Sequence, residues 1–167
     1  IVKKKTVRRE KRIRAWCAAS STGEEPYAIM MCLLETFNTA GWDVKLLATD
    51  ISTKVLRKAI EGVYRQSQFN EMPRMFLHKY FEKEAMGGEK HFRVCDDLRR
   101  YIVFRRFNLM RPRFPFTGKF DFIFCRNVMI YFDVKTQQEV VRKMLDYLSP
   151  GGFLFIGHSE NIIGDVR

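Results

Sequence analysis

The sequence predicts an α/β protein built on an open, mostly parallel sheet. Three observations carry that reading. Strand and helix patterns alternate in the order β-α-β-α…β-α-β. Phe120–Cys125 and Phe153–Gly157 are short apolar runs of the kind a strand covered on both faces needs. A turn of small residues, Ala18 to Gly23, joins the first strand to the first helix, where such sheets place ligands. With 167 residues, 46% of them hydrophobic and 15 of them Phe, the chain can bury one proper core.

The elements follow in order. Ile13–Ala18 reads as strand one, and Pro26 to about Asn38 as a helix with Gly41 beyond it as a stop. Val44–Thr49 is strand two, ending at Asp50. Ser52 is placed to cap a helix through Glu61 that Gly62 ends. A less regular region, about 63–107, holds a short helix near Pro73–Phe81 and strand-like runs at His91–Val94 and Tyr101–Phe107. It reads as a small antiparallel insertion. The parallel pattern resumes at Phe120–Cys125. Asp133 is placed to cap a helix over Val134–Leu148, Ser149-Pro150-Gly151-Gly152 stops it, and Phe153–Gly157 is a further buried strand.

Composition narrows the function. No apolar run is long enough for a membrane span, and no signal peptide is visible, so a cytoplasmic setting without membrane insertion is expected. The four cysteines are far apart with no CxxC pair, and three sit in apolar runs, which favours buried free thiols over disulfides or a zinc site. The net charge is +11, but residues 1–14 supply +7 of it. The excess is thus mostly terminal, and no RNA-binding signature accompanies it, so nucleic acid is not the main partner expected.

The turn after strand one carries Glu24 and Glu25 and no Lys. It would repel a phosphate and suits a ligand with hydroxyls and positive charge. That points away from a P-loop and towards a cationic nucleoside such as S-adenosylmethionine (SAM). An ordinary strand-to-helix connection with acids in the first turn is the plain alternative. Asp50, at the end of strand two, is placed to accept from both ribose hydroxyls, or serves only as a turn residue. Asn108 follows a strand-like run and can read an adenine edge, or simply form a turn. Arg126 and Asn127 follow a core strand, where α/β enzymes place active-site groups. Tyr131 walls that site or packs against a helix. Gly157-His158-Ser159-Glu160-Asn161 superficially offers a hydrolase triad, but no GxSxG elbow exists; His158 reads as a structural hydrogen-bonding residue, and His78 and His91 as surface positions.

Six ordered motifs together resemble the CheR family of SAM-dependent methyltransferases of bacterial chemotaxis receptors. They are the Ala18–Tyr27 run, Ala48-Thr49-Asp50-Ile51, Glu61–Arg65, Phe107-Asn108-Leu109, Phe124–Phe132 and Gly157–Asn161, and the similarity covers about residues 12–167. The resemblance implies a class I methyltransferase fold, Rossmann-like, with the insertion as the family's small β-subdomain. It implies that Glu25, Asp50, Asn108, Leu109, Arg126 and Asn127 line the SAM pocket, with Asp50 on the ribose and Asn108 near the adenine. It implies glutamate carboxylates of chemotaxis receptors as methyl acceptors, S-adenosylhomocysteine (SAH) as the product, and in some members a receptor C-terminal tail added to the β-subdomain as a strand. Arg126 or Tyr131 is expected to position the substrate carboxylate. Two departures stand out: the family's N-terminal helical domain, with its Asn/Thr/Arg motif, and the terminal sheet strands are absent from this sequence, so a fragment is expected. A class I enzyme acting on RNA or a small molecule, and a non-catalytic SAM-sensing or receptor-docking module, are the competing readings.

Overall fold

Strand β1, Arg12–Cys17, alternates its side chains between two different cores. Ile13, Ala15 and Cys17 enter one, and Trp16 and Ala18 enter the other. A strand can do this only when both faces of its sheet are covered. The computed structural model describes residues 1, 5, 10–37, 41–86 and 88–157; the His158–Asn161 motif lies outside them.

Five strands form the main sheet: β1, β2 (Asp43–Asp50), β6 (Ile102–Arg106), β7 (Phe120–Cys125) and β8 (Leu148–Ile156). Their order is β6-β2-β1-β7-β8, and every neighbouring pair is parallel. Strand order reverses between β1 and β7, and the crevice at their carboxyl ends is where such a sheet receives a ligand. Helix α1 (Glu24–Phe37) packs on one face through Tyr27, Met30 and Leu33. Helix α2 (Thr53–Glu61) follows Ser52, whose hydroxyl accepts from the Val55 amide, and ends at Gly62 in the left-handed region. These are the bounds its cap residues predict.

The insertion is a three-stranded antiparallel sheet of β3 (Val63–Arg65), β5 (Glu89–Val94) and β4 (Phe81–Met86), in the order β3-β5-β4. Helix α3 (Arg74–Tyr80) leads into β4, and the short α4 (Asp96–Arg99) follows β5. The insertion therefore closes at Val94 instead of Phe107. Ile102–Arg106, expected within it, pairs in parallel with β2 as an edge strand of the main sheet. Its polar outer residues, Arg105 and Arg106, reflect that open edge.

Helix α5 (Val134–Asp146) covers the opposite face through Val140, Val141 and Met144. Asp133 caps it by accepting from the Thr136 amide at 2.8 Å. The helix stops at Asp146, two residues short of the expected Leu148, because Leu148–Gly152 is drawn into β8. Asp121 alone sits between Phe120 and Phe122 on β7, while four residues separate their partners Leu148 and Phe153. Gly152 fits that bulge because a Cβ there would stand 2.8 Å from the Asp121 carbonyl. The Asp121 carboxylate is buried, accepts from the Arg14 amide at 2.9 Å and pairs with Lys5 at 2.9 Å, which ties the start of β7 to β1.

All four cysteines are free thiols, but only Cys17 and Cys125 are buried as expected; Cys95 is half-buried and Cys32, on α1, is exposed. His78 is exposed as expected, whereas His91 is half-buried on β5.

Candidate cofactor site

The strand ends at the order reversal surround a cleft of about 330 Å³, a size in the range of small-ligand sites. Ala18 and Ala19 follow β1 and form its floor, and their short side chains leave the backbone open to a ligand. Asp50 and Ile51 come from the end of β2, and Asn108 and Leu109 from the segment after β6. Tyr131 and Phe132 belong to a single 3-10 turn after β7 and its flank. The sequence-predicted Asp50, Asn108, Leu109 and Tyr131 thus converge, although Tyr131 remains 78% exposed at the mouth. Five further residues line it, Ile51, Phe107, Met110, Val128 and Phe132; all but Met110 fall within the six motifs, but the sequence does not single them out, because an apolar side chain carries no ligand-specific signal.

Asp50 is held at both oxygens. Its Oδ2 accepts from the Ser21 amide and its Oδ1 from the Ser52 amide, each at 2.9 Å. Each carboxylate oxygen keeps a second lone pair. The group is thereby fixed in orientation with capacity left for two hydroxyl donors. Ser21 reaches it with a left-handed backbone (φ 46). Below this turn Trp16 donates its indole N–H to the Thr49 hydroxyl at 2.9 Å, and Ser20 donates its amide to the Thr49 carbonyl at 2.8 Å. The end of β2 is therefore bonded both to β1 and to the turn after it.

Gly23 sits where the inserted sheet meets this turn. Its φ is 101, and a Cβ there would lie 2.7 Å from the Tyr64 hydroxyl and 2.9 Å from the Ala59 Cβ. Tyr64, on β3, donates to the Thr22 carbonyl at 2.8 Å. The small-residue turn has a packing reason as well as a ligand-facing one.

Glu25 and Arg126 do not line the 330 Å³ cleft. They meet beside it, where Arg126 Nη1 donates to Glu25 Oε1 at 2.8 Å, at the end of an apolar groove between α1 and β7–β8. The Cys17 thiol donates to the other Glu25 oxygen at 3.4 Å. Burial first, and then the Glu25 charge, push that thiol well above its ordinary pKa, so it stays a donor and not a thiolate. Asn127 is exposed in a left-handed conformation (φ 58) and turns the chain between Arg126 and the cleft wall at Val128. The predicted residues accordingly fall into two adjoining groups, a cleft around Asp50 and a charged pair at Glu25–Arg126, with Asn127 in neither and on the link between them.

These features fit a cationic nucleoside with an amino-acid arm. The cleft offers a bidentate acceptor and apolar walls for a sugar and a flat base, and the neighbouring pair offers one charge of each sign for an ammonium and a carboxylate. The family profile described as CheR methyltransferase, SAM binding domain, matches residues 1–167.

The chain belongs to this CheR methyltransferase family.

It is 46% identical over 154 residues to the chemotaxis protein methyltransferase of Escherichia coli (strain K12), covering 92% of this chain and 54% of that protein. Against the chemotaxis protein methyltransferase of Borreliella burgdorferi it is 45% identical over 155 residues, covering 92% and 54%. The chain spans about half the length of the curated relatives it matches. Among solved structures, a glycopeptide N-methyltransferase, MtfA, with bound SAM aligns with a TM-score of 0.53 at 14% identity, over 86% of this chain and 46% of that one. The N-methyltransferase NodS from Bradyrhizobium japonicum with SAH gives 0.51 at 14%, over 86% and 51%. At such identities the likeness shows the fold alone, and that fold is the class I SAM-dependent methyltransferase fold the CheR resemblance implied.

Proposed function

We propose that this chain forms the SAM-binding part of an enzyme that methylates glutamate side chains of chemotaxis receptors. The observation that carries the reading is the Asp50 carboxylate, fixed by two amides at the carboxyl end of β2 and facing the cleft at the order reversal of a CheR-family sheet. Asp50 holds the ribose hydroxyls, and Ile51 and Leu109 flank the base. Asn108 addresses the base edge through its backbone, since its side-chain oxygen already accepts from the Met110 amide at 2.9 Å. Glu25 and Arg126 take the charged ends of the amino-acid arm, exchanging part of their mutual pairing for the ligand.

When bound, SAM supplies an activated methyl on a sulfonium that is already a good leaving group. The chain's own residues then have a positioning task. A glutamate acceptor is ionised near neutrality, since its ordinary pKa is about 4.3, so no general base is required. Tyr131 at the mouth orients the acceptor carboxylate towards the cleft, and the apolar walls exclude water. The open edges of β3 and β4 suit capture of an extended receptor segment by strand addition.

The deciding measurement is calorimetric titration of the 167-residue chain with SAH, beside Asp50→Asn. Saturable binding weakened about tenfold in the variant, or roughly 1.4 kcal/mol, supports the assignment. Equal binding by both proteins would remove Asp50 from the ligand, and no binding by either would remove the ligand from the cleft. With full-length protein and receptor, Tyr131→Ala should lower turnover at saturating acceptor; unchanged turnover would exclude its positioning role.

A further inference from the structure

Two walls of the cleft are tied to one helix that does not itself line it. Lys143, on α5, donates from Nζ to the Leu109 carbonyl at 3.0 Å and to the Arg111 carbonyl at 2.9 Å. Those carbonyls flank Met110, so the Leu109–Met110 wall is closed from behind. The ammonium also lies 5.2 Å over the Phe114 ring, which fixes its direction. Six residues earlier on the same helix, Gln137 donates from its single amide nitrogen to the Met129 carbonyl and the Phe132 carbonyl, each at 3.0 Å. Those carbonyls bracket Tyr131 and the opposite wall. A carboxamide has two N–H donors, and both are used here. The helix between these clamps is anchored in the core by Val140, Val141 and Met144.

We propose that α5 is a strut that sets the width of the nucleoside cleft, with Gln137 and Lys143 as its positioning residues. The proposal rests on the reading of this cleft as the SAH site. Each side chain bonds two carbonyls of the wall segments, and the Met129 carbonyl also accepts from the Phe132 amide at 3.0 Å, so the clamp fastens an already closed turn to the helix. A ligand held between two walls gains affinity when their separation is set beforehand. Replacing either clamp should therefore weaken the nucleoside end of the ligand without altering any residue that touches it.

The test uses the 167-residue chain with SAH and with 5′-methylthioadenosine, a nucleoside that lacks the amino-acid arm. Lys143→Met and Gln137→Glu keep side-chain length and remove the donors, Lys143→Arg keeps them, and Glu139→Gln is an exposed control on the same helix. The expected result is a loss of fivefold or more for both ligands in K143M and Q137E, equal for the two ligands, with K143R and E139Q within twofold of the unaltered chain. Thermal melting without ligand accompanies each titration. Folded K143M and Q137E with unaltered affinity, or variants that only melt earlier, would overturn the strut while leaving the SAH site intact. If K143M does not fold, K143Q decides, and unaltered affinity there overturns it equally. No SAH binding by the unaltered chain would remove the nucleoside reading and the strut with it.

Discussion

Gly23 and Asp121 are the residues at which the least change should do the most. At Gly23 the left-handed backbone and the crowding by Tyr64 and Ala59 act together. Gly23→Ala should cost about 2 kcal/mol of stability, from strain plus displaced packing, measurable by urea denaturation, and should weaken SAH binding because the turn carrying Ser21 shifts with it. Asp121 is a buried charge paired with Lys5 and bonded to the Arg14 amide. Asp121→Ala removes the acceptor of the Arg14 amide and leaves Lys5 with Glu10 and the Arg12 carbonyl, and should cost about 2 kcal/mol; a loss under about 0.5 kcal/mol would show the pair to be dispensable. At this scale the sequence was partly legible. The place of Asp50 could be read, because it closes a core strand, although a turn-forming acid fits that position equally well; the structure puts it at the cleft with both oxygens bonded to amides. The Glu25–Arg126 pair could not, since the two lie 101 residues apart and only the sheet order brings them together. Asp121 was hidden inside a run that reads as apolar.

Among the elements, caps were the most legible signals. Ser52, Gly62 and Asp133 occupy the ends their chemistry predicts because capping depends on the next three or four residues and on little else. The amides of the first α5 turn hold the Asp133 carboxyl below its ordinary pKa. A lowered carboxyl stabilises the fold above the unfolded value, near pH 3.9, and that contribution disappears as pH falls through the lower folded value. The stability gap between the unaltered chain and Asp133→Ala should therefore be full at pH 7 and close below about pH 4, and chemical denaturation across that range checks it. Strand partners were less legible. Ile102–Arg106 has the composition of a strand on either sheet, and pairing with β2 is settled by α2 and β6 packing together. Tyr64 joins the two sheets, and Tyr64→Phe, which removes its bond to Thr22, should cost about 1 kcal/mol and leave the secondary structure seen by circular dichroism unchanged.

The whole molecule buries two cores on either side of the main sheet, yet one face of β7 and β8 carries an aromatic stack in view of solvent. Phe122 and Phe124 stack on Phe153 and Phe155, with Phe124 and Phe155 centroids 4.6 Å apart, and Phe153 and Phe155 are 52% and 41% exposed. Exposed aromatic patches bind other apolar surfaces. In this chain, Phe153→Thr with Phe155→Thr should reduce binding of an apolar fluorescent dye and raise the concentration at which the protein self-associates, as light scattering would register. The sheet order has a kinetic consequence as well. The β1–β7 seam joins residues such as Ala15 and Phe122, more than a hundred positions apart, whereas β1–β2 joins Ala15 to Leu46. Closing the longer loop carries the larger entropic cost and belongs to the slower class of folding events. The two walls of the cleft hang on opposite sides of that seam. In a refolding experiment, then, the ability to bind SAH should arrive with the slowest phase, after most backbone signal has returned, so that the ligand times the closing of the sheet's longest loop.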